Sequence, residues 1–293
     1  MTDFGRVMTA MVTPFKPDLS VDYSQAEKLA VHLMENGSES LVVHGTTGES
    51  PTLTHEEEYE LYKVVKKAVN GKCQVIAGSG SNSTATTIKS TQVAEKMGLD
   101  GAMVVVPYYN KPSQEGLFQH FKAIAESTSL PLIVYNIPGR TGINMLPETI
   151  ARVAGLKNII GLKDAAGSLD QTSETRKLCP IEFIIWSGDD SLTLPMLSVG
   201  ATGIISVASH LVGKQIAEMV NAFHAGNVKK AEEIHLRLLP IFKVLFITSN
   251  PSPVKYALEL TGFPVGKVRL PLVEPSDSQK AEIKKVLQNL KLI

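Results

Sequence analysis

Lys163 ends an apolar run, Ile159-Ile160-Gly161-Leu162, and is followed by Asp164 and Ala165. An ammonium in that position loses hydration, and burial disfavours the charged form, which lowers the pKa from about 10.4. The neutral amine is a nucleophile toward carbonyl carbon, whereas the ammonium has no lone pair to give. A lysine kept mostly neutral near pH 7 needs a shift of roughly 3 units, about 4 kcal/mol, which burial and a neighbouring cation can supply together. The segment also fits a lysine whose stem lines a strand and whose head reaches water. Taken alone, it leaves both readings open.

Other short stretches carry matching chemistry. Gly45-Thr46-Thr47-Gly48-Glu49 sets two hydroxyls and consecutive backbone amides between glycines, an arrangement suited to a carboxylate and equally to a polar turn with a helix cap. Pro107-Tyr108-Tyr109-Asn110 follows a Val-rich run, where tandem tyrosines are most often core-edge or interface residues. Tyr135-Asn136-Ile137-Pro138-Gly139-Arg140-Thr141-Gly142 brings a phenol and a guanidinium, the latter fit for bidentate carboxylate binding or for a surface ion pair. Ser187-Gly188-Asp189-Asp190 pairs two carboxylates, but no histidine or third carboxylate stands at ligand spacing, so Asp189 reads as a helix cap and no metal is expected. His55-Glu56-Glu57-Glu58 lacks the second histidine of a zinc helix, and Gly78-Ser79-Gly80 has Ser83 where a dinucleotide fingerprint needs glycine. His44 and His210 follow strands, with nothing in sequence to pair with them.

Apart from His55–Glu58, these stretches come at the ends of largely apolar runs. Expected strands are Val7–Thr13, Leu41–His44, Gln74–Ala77, Ala102–Val106, Leu132–Asn136, Ile159–Lys163, Phe183–Ser187 and Gly203–Val207. The run before Lys163 is continuously apolar or glycine, as in a parallel sheet covered on both faces. Between the strands run helix-period segments with stops at Gly37, Gly71, Gly98, Pro131, Gly155, Pro180, Gly200 and Gly226, a spacing that fits one βα unit. Thr54 opens a capping box with Glu57, Ser113 and Ser168 are expected N-caps, and Gly98 and Gly155 are expected left-handed helix ends. Eight such units point to an α/β fold of the (βα)8 TIM-barrel class, with a doubly wound open sheet as the alternative. After Gly226 the residues 228–249, 253–261 and 276–290 read as helices without strands. The expected division is therefore a barrel over 1–226 and a C-terminal helical extension over 227–293.

Composition narrows the function classes. In 293 residues, 29 basic and 29 acidic side chains cancel, which gives no electrostatic footprint for nucleic acid or an acidic membrane. Cys73 and Cys179 sit in no metal or redox spacing and are expected as thiols in a reducing, cytoplasmic compartment. Met1–Arg6 lacks the pattern of a signal peptide. Ser191–Gly213 has no charged side chain, but Pro195, Gly200 and Gly203 argue for a short helix, a turn and a buried strand rather than a membrane span.

The Gly45–Ser50, Pro107–Pro112, Tyr135–Gly142 and Gly161–Asp164 motifs, in this order and spacing, resemble the dihydrodipicolinate synthase family, pyruvate-dependent class I aldolases built on (βα)8 barrels. The resemblance runs essentially end to end and takes in Asn250-Pro251-Ser252-Pro253-Val254-Lys255. It implies condensation of pyruvate with L-aspartate 4-semialdehyde through a Schiff base on Lys163, with no cofactor and no metal. By the same resemblance Tyr135 is the acid/base, Thr46 and Tyr109 complete a hydroxyl relay, and Thr47 and Arg140 bind substrate carboxylates. Gly188 and Ile205 line the pocket through their backbones. N-acetylneuraminate lyases share the lysine and the tyrosine, but lack an arginine at the position of Arg140 and carry Ser-Thr where this chain has Thr46-Thr47. The resemblance further implies a cytoplasmic homotetramer of tight dimers in which Tyr109 completes the neighbour's relay.

Members of the family inhibited by L-lysine bind it at positions matching Ser50, Pro51, His55, Glu58, Asn82, Thr86 and Tyr108. At Thr86 the regulated members usually carry a glutamate, so weak inhibition is expected here. The competing expectations are another 2-oxo acid aldolase or dehydratase, and a non-catalytic lysine sensor. A sensor would be expected to have lost Lys163 or Tyr135, and both are present.

Overall fold

The computed structural model describes residues 4–293; of the Met1–Arg6 stretch, the first three residues lie outside the described residues. The strands are β1 (Val7–Ala10), β2 (Ser40–Val43), β3 (Gln74–Gly78), β4 (Gly101–Val105), β5 (Leu132–Asn136), β6 (Ile159–Asp164), β7 (Ile184–Ser187) and β8 (Gly203–Ser206). The helices are α1 (Tyr23–Glu35), α2 (His55–Val69), α3 (Thr84–Lys96), α4 (Gln114–Glu126), α5 (Pro138–Thr141), α6 (Pro147–Ala154), α7 (Leu169–Leu178), α8 (Thr193–Ser198), α9 (Ser209–His224), α10 (Val228–Val244), α11 (Ser252–Leu260) and α12 (Asp277–Asn289). The strands follow one another in chain order and close into a barrel, the TIM architecture expected, and closure rules out the open doubly wound sheet.

Two compact units are distinguished: Val75–Ile205 with the N-terminal residues up to Arg6, and Val7–Gln74 with Ser206–Ile293. In the first, parallel pairing sets Val105 opposite Tyr135, Tyr135 opposite Lys163 and Lys163 opposite Trp186. The strand cores are buried because helices cover a parallel sheet on its outer side while side chains fill its interior. In the second unit β1 pairs with β2, setting Met8 opposite Ser40, and α10 packs on α9 and α12.

The helix starts are those the sequence signals. Thr54 accepts from the Glu57 amide while Glu57 accepts from the Thr54 amide, and Ser113 and Ser168 cap α4 and α7. Gly98 takes φ +71°, a left-handed end that glycine adopts without steric cost. Gly155 departs from expectation. It closes α6 at φ −76° in the right-handed region, so that helix end makes no use of glycine's freedom.

Element ends differ where side chains take over backbone bonds. β1 stops at Ala10 rather than Thr13, because the Val12 amide donates to His210 Nε2 at 3.1 Å and the Thr13 hydroxyl turns to the Gly48 carbonyl at 2.6 Å. α10 stops at Val244 rather than 249, as Phe246 and Ile247 bond three residues back and tighten the last turn. Asp189 does not cap α8: its carboxylate accepts from the Ser191 and Leu192 amides in a turn ahead of the helix, and Leu192 holds the cap position.

Candidate active site

Lys163 is placed by β6, and two features of that strand fix it. Gly161, two residues earlier on the same face, has no room for a side chain: a Cβ there would lie 2.6 Å from the Trp186 ring and 2.4 Å from the Ile184 carbonyl oxygen. Immediately after Lys163, the Asp164 carboxylate accepts from the Thr172 hydroxyl at 2.8 Å and the Ala166 amide at 3.0 Å, which fastens the strand end to the turn before α7. The Gly188 amide donates to the Asp164 carbonyl at 2.7 Å, and Ala165 Cβ would stand 2.7 Å from a Cβ on Gly188. Glycine lets the loops after β6 and β7 meet at this distance.

Register across β5 and β6 brings Tyr135 level with Lys163, and Nζ lies 4.3 Å from the Tyr135 ring centroid. Lys163 is only 5% exposed. Burial lowers its pKa to about 8, Asp190 opposes the shift, and Arg140 adds to it as the neighbouring cation. At that value roughly a tenth of the amine is neutral at pH 7. Arg140 lies on the short helix α5, directly after β5, with its side chain exposed. Ile205 is buried in β8.

Tyr109 is set apart from these buried groups. It is 87% exposed, and its backbone takes φ +72°, a conformation that costs a bulky residue about 1–3 kcal/mol. Its amide donates to the Thr141 carbonyl at 3.4 Å, and Asn110 Nδ2 donates to the Asn82 carbonyl at 2.9 Å. The loop after β4 is thereby held to the loops after β5 and β3, with the phenol projecting outward.

The loop after β2 belongs to the second unit. Thr46 is half-buried and Thr47 buried, and the loop closes on itself through the Glu49 amide to the Thr46 carbonyl at 3.1 Å. Thr13 donates to the Gly48 carbonyl, and Asn250 Nδ2 donates to Thr47 Oγ1 at 2.9 Å. Glu49, at φ +58°, is fully buried and forms an ion pair with Lys255 Nζ at 2.6 Å, while its other oxygen accepts from the Arg269 amide at 2.9 Å. Burial lowers the Lys255 pKa to about 8 against the pull of Glu49. In sequence Glu49 belongs to the loop motif and Lys255 to the C-terminal stretch, with nothing to join them. No local pattern announces the pair, because its partners meet only through the tertiary fold.

Of the residues matched to lysine binding, Glu58 is the most constrained. It is buried, and its carboxylate is approached by His44 Nδ1 at 3.3 Å and His55 Nδ1 at 3.0 Å, and accepts from the Tyr62 hydroxyl at 2.9 Å. His44, which has no partner in sequence, thus has one in the fold. Ser50, Asn82 and Thr86 are half-buried, Pro51 is exposed, and Tyr108 is 38% exposed. Among the described residues no cluster of ligating side chains is built to hold a metal, and no helix is long and apolar enough to cross a membrane.

The profile of the dihydrodipicolinate synthetase family matches residues 3–290. The chain belongs to that family. Relatives named 4-hydroxy-tetrahydrodipicolinate synthase include one from a Cyanothece species, 59% identical with both chains fully covered, and one from Desulforamulus reducens, 60% identical over 99% of each chain. Among solved structures, dihydrodipicolinate synthase from Cyanidioschyzon merolae with lysine bound is 51% identical and superposes with a TM-score of 0.98 over 99% of each chain. These relatives are thus similar to this chain in sequence, and the solved structure also in fold, over nearly its whole length.

Proposed function

We propose that this chain catalyses the condensation of pyruvate with L-aspartate 4-semialdehyde to 4-hydroxy-tetrahydrodipicolinate, the committed step toward diaminopimelate and lysine. The observation that carries the reading is Lys163: a buried amine, level with Tyr135 in the sheet, its pKa lowered to about 8 by burial and by Arg140. That leaves about a tenth of the amine neutral at pH 7, against less than about a thousandth for an exposed lysine, and it is the neutral form that attacks a carbonyl.

In this mechanism the Lys163 amine attacks C2 of pyruvate, and loss of water leaves a protonated imine. The imine draws electrons, so a methyl proton leaves and an enamine forms. The enamine carbon attacks the aldehyde of the semialdehyde, whose oxygen takes a proton. The semialdehyde's own amine then adds to the imine carbon, closing the ring and releasing Lys163. Tyr135 moves these protons, with Thr46 and Tyr109 as its hydroxyl relay, since a phenol of pKa about 10 acts more readily within a hydrogen-bonded chain. Thr47 and the neighbouring amides hold the pyruvate carboxylate. Arg140 holds that of the semialdehyde, and Gly188 and Ile205 shape the pocket by their backbones.

Residues 1–226 carry this chemistry in the reading, with 227–293 as its helical extension. The enzyme works in the cytoplasm as a homotetramer of tight dimers, with L-lysine a weak inhibitor bound through Ser50, His55, Glu58, Asn82 and Tyr108. A lysine-bound relative supports the ligand, and Thr86 supports the weakness. The test is borohydride reduction with pyruvate followed by peptide mapping, alongside a coupled assay of pyruvate with the semialdehyde and with N-acetylmannosamine. The expected adduct is on Lys163 and vanishes in Lys163→Arg, whose guanidinium stays protonated. An adduct on another lysine, or turnover with N-acetylmannosamine alone, refutes the reading.

A further inference from the structure

The segment entering the last helices is tied twice to the loop after β2, within one compact unit. Asn250, 5% exposed, donates from Nδ2 to Thr47 Oγ1 at 2.9 Å. Lys255, in the first turns of α11, is paired with Glu49 at 2.6 Å. The two ties hold both ends of the Thr47–Glu49 stretch against the same short piece of chain.

The first tie has a directional consequence. A threonine hydroxyl has one proton and two lone pairs. Once Asn250 occupies a lone pair of Thr47, the hydroxyl proton must find an acceptor elsewhere, and among the described residues none receives it. The Oδ1 atom of Asn250 is likewise buried without a donor. Buried polar groups are nearly always satisfied, so a buried hydroxyl proton with no acceptor points to a ligand that supplies one. An amide turned the other way would accept the Thr47 proton and leave the hydroxyl with only lone pairs to offer, which an anionic carboxylate repels.

We propose that Asn250 is a positioning residue for the keto acid: by donating to Thr47 Oγ1 it reserves the hydroxyl proton of Thr47 for the pyruvate carboxylate. The proposal rests on the reading of Thr47 as a carboxylate-binding residue. In this role Asn250 acts through Thr47, and the Glu49–Lys255 pair joins the same two stretches of chain a few residues on.

Pyruvate KM and kcat, at saturating semialdehyde, and the pyruvate concentration giving half-maximal borohydride trapping are to be measured for Thr47→Val, Asn250→Ala, Asn250→Asp and the double variant Thr47→Val/Asn250→Ala. Asn250→Ala is expected to raise pyruvate KM and the half-trapping concentration about five- to tenfold, with kcat at saturating pyruvate within about twofold. Asn250→Asp, nearly isosteric, accepts the Thr47 proton and is expected to raise KM further; it carries the comparison if the alanine variant does not fold. The double variant is expected to be no worse than Thr47→Val, because both changes remove the same hydrogen bond to substrate. A pyruvate KM unchanged in Asn250→Ala while Thr47→Val raises it overturns the positioning role alone. Full additivity in the double variant does the same, since Asn250 would then act by another route. Wild-type KM in Asn250→Asp shows the amide turned the other way. An unchanged KM in Thr47→Val overturns the carboxylate reading of Thr47, and the proposal with it.

Discussion

At the scale of single residues, Lys163 has a cost that can be measured apart from catalysis. Its pKa falls from 10.5 to about 8 on folding, with the attraction of Asp190 already included, so the folded protein disfavours the charged form by about 3 kcal/mol. Below about pH 8 the lysine is charged in both folded and unfolded chains, and the whole cost is present. Between about 8 and 10.5 the unfolded chain binds the proton and the folded one does not, so stability rises with pH. Above that window the cost is gone. Lys163→Met, which fills the same volume without a charge, is therefore expected to abolish turnover and to raise unfolding free energy by up to about 3 kcal/mol at pH 7, an advantage that fades by pH 10.5. Denaturant titrations at pH 7 and at pH 10 check both halves, and an unchanged or lowered stability at pH 7 would contradict the burial cost. This residue was legible in the sequence as a charge at the end of an apolar run, a pattern that left a reactive and an ordinary lysine both open until the neighbouring motifs were set beside it. Its cationic neighbour was legible only as a residue type, since nothing in the order of the chain states that Arg140 acts on Lys163.

Among elements, strands were legible and their last residues were not. A continuous apolar run states that a segment is buried on both faces, whereas its end depends on which side chain takes the next backbone bond, as His210 does for Val12. Loop-to-helix ties were the least legible, because their partners lie far apart in the chain. Glu49 and Lys255 are the clearest case, a buried pair joining the loop after β2 to α11. Replacing one member leaves the other charged and buried, which costs about 3–5 kcal/mol, while replacing both by neutral groups restores much of that loss. Lys255→Met is accordingly expected to lower unfolding free energy by about 3 kcal/mol, and Glu49→Gln/Lys255→Met to recover at least half of it. Equal losses in the single and double variants would show that the pair contributes packing rather than paired charge.

On the scale of the whole molecule, the surroundings of Glu58 bear on regulation and an exposed tyrosine on assembly. For regulation, Glu58 is engaged by His44, His55 and Tyr62, so a ligand ammonium reaching that carboxylate competes for acceptor sites of which most are already taken. In the proposed lysine site Thr86 offers a hydroxyl where a charge would favour the α-ammonium, and one charge-assisted hydrogen bond is worth about 1.5–3 kcal/mol. L-lysine is expected to inhibit weakly, and Thr86→Glu to strengthen inhibition by roughly 10-fold or more. Half-inhibition of the unaltered enzyme below about 0.1 mM, roughly −5.5 kcal/mol of binding, would show Thr86 to be no handicap.

Assembly turns on Tyr109. An isolated chain gains nothing from an 87% exposed tyrosine in a left-handed backbone conformation, because the side chain buries no surface to offset the strain. A phenol used beyond its own subunit would offset that strain, which agrees with the reading that Tyr109 completes a relay in a neighbour. Two expectations follow from that one role. Sedimentation velocity is expected to give a species of at least twice the 31.7 kDa chain mass, the dimer that this role needs and the unit of the proposed tetramer, and Tyr109→Phe is expected to lower kcat by one to two orders of magnitude while leaving pyruvate KM within about threefold. Dilution to monomer in the same instrument is then expected to cost activity in the wild type but little further activity in Tyr109→Phe, whose relay is already broken. A fully active monomer would leave the strain at Tyr109 without its partner and remove the argument for assembly.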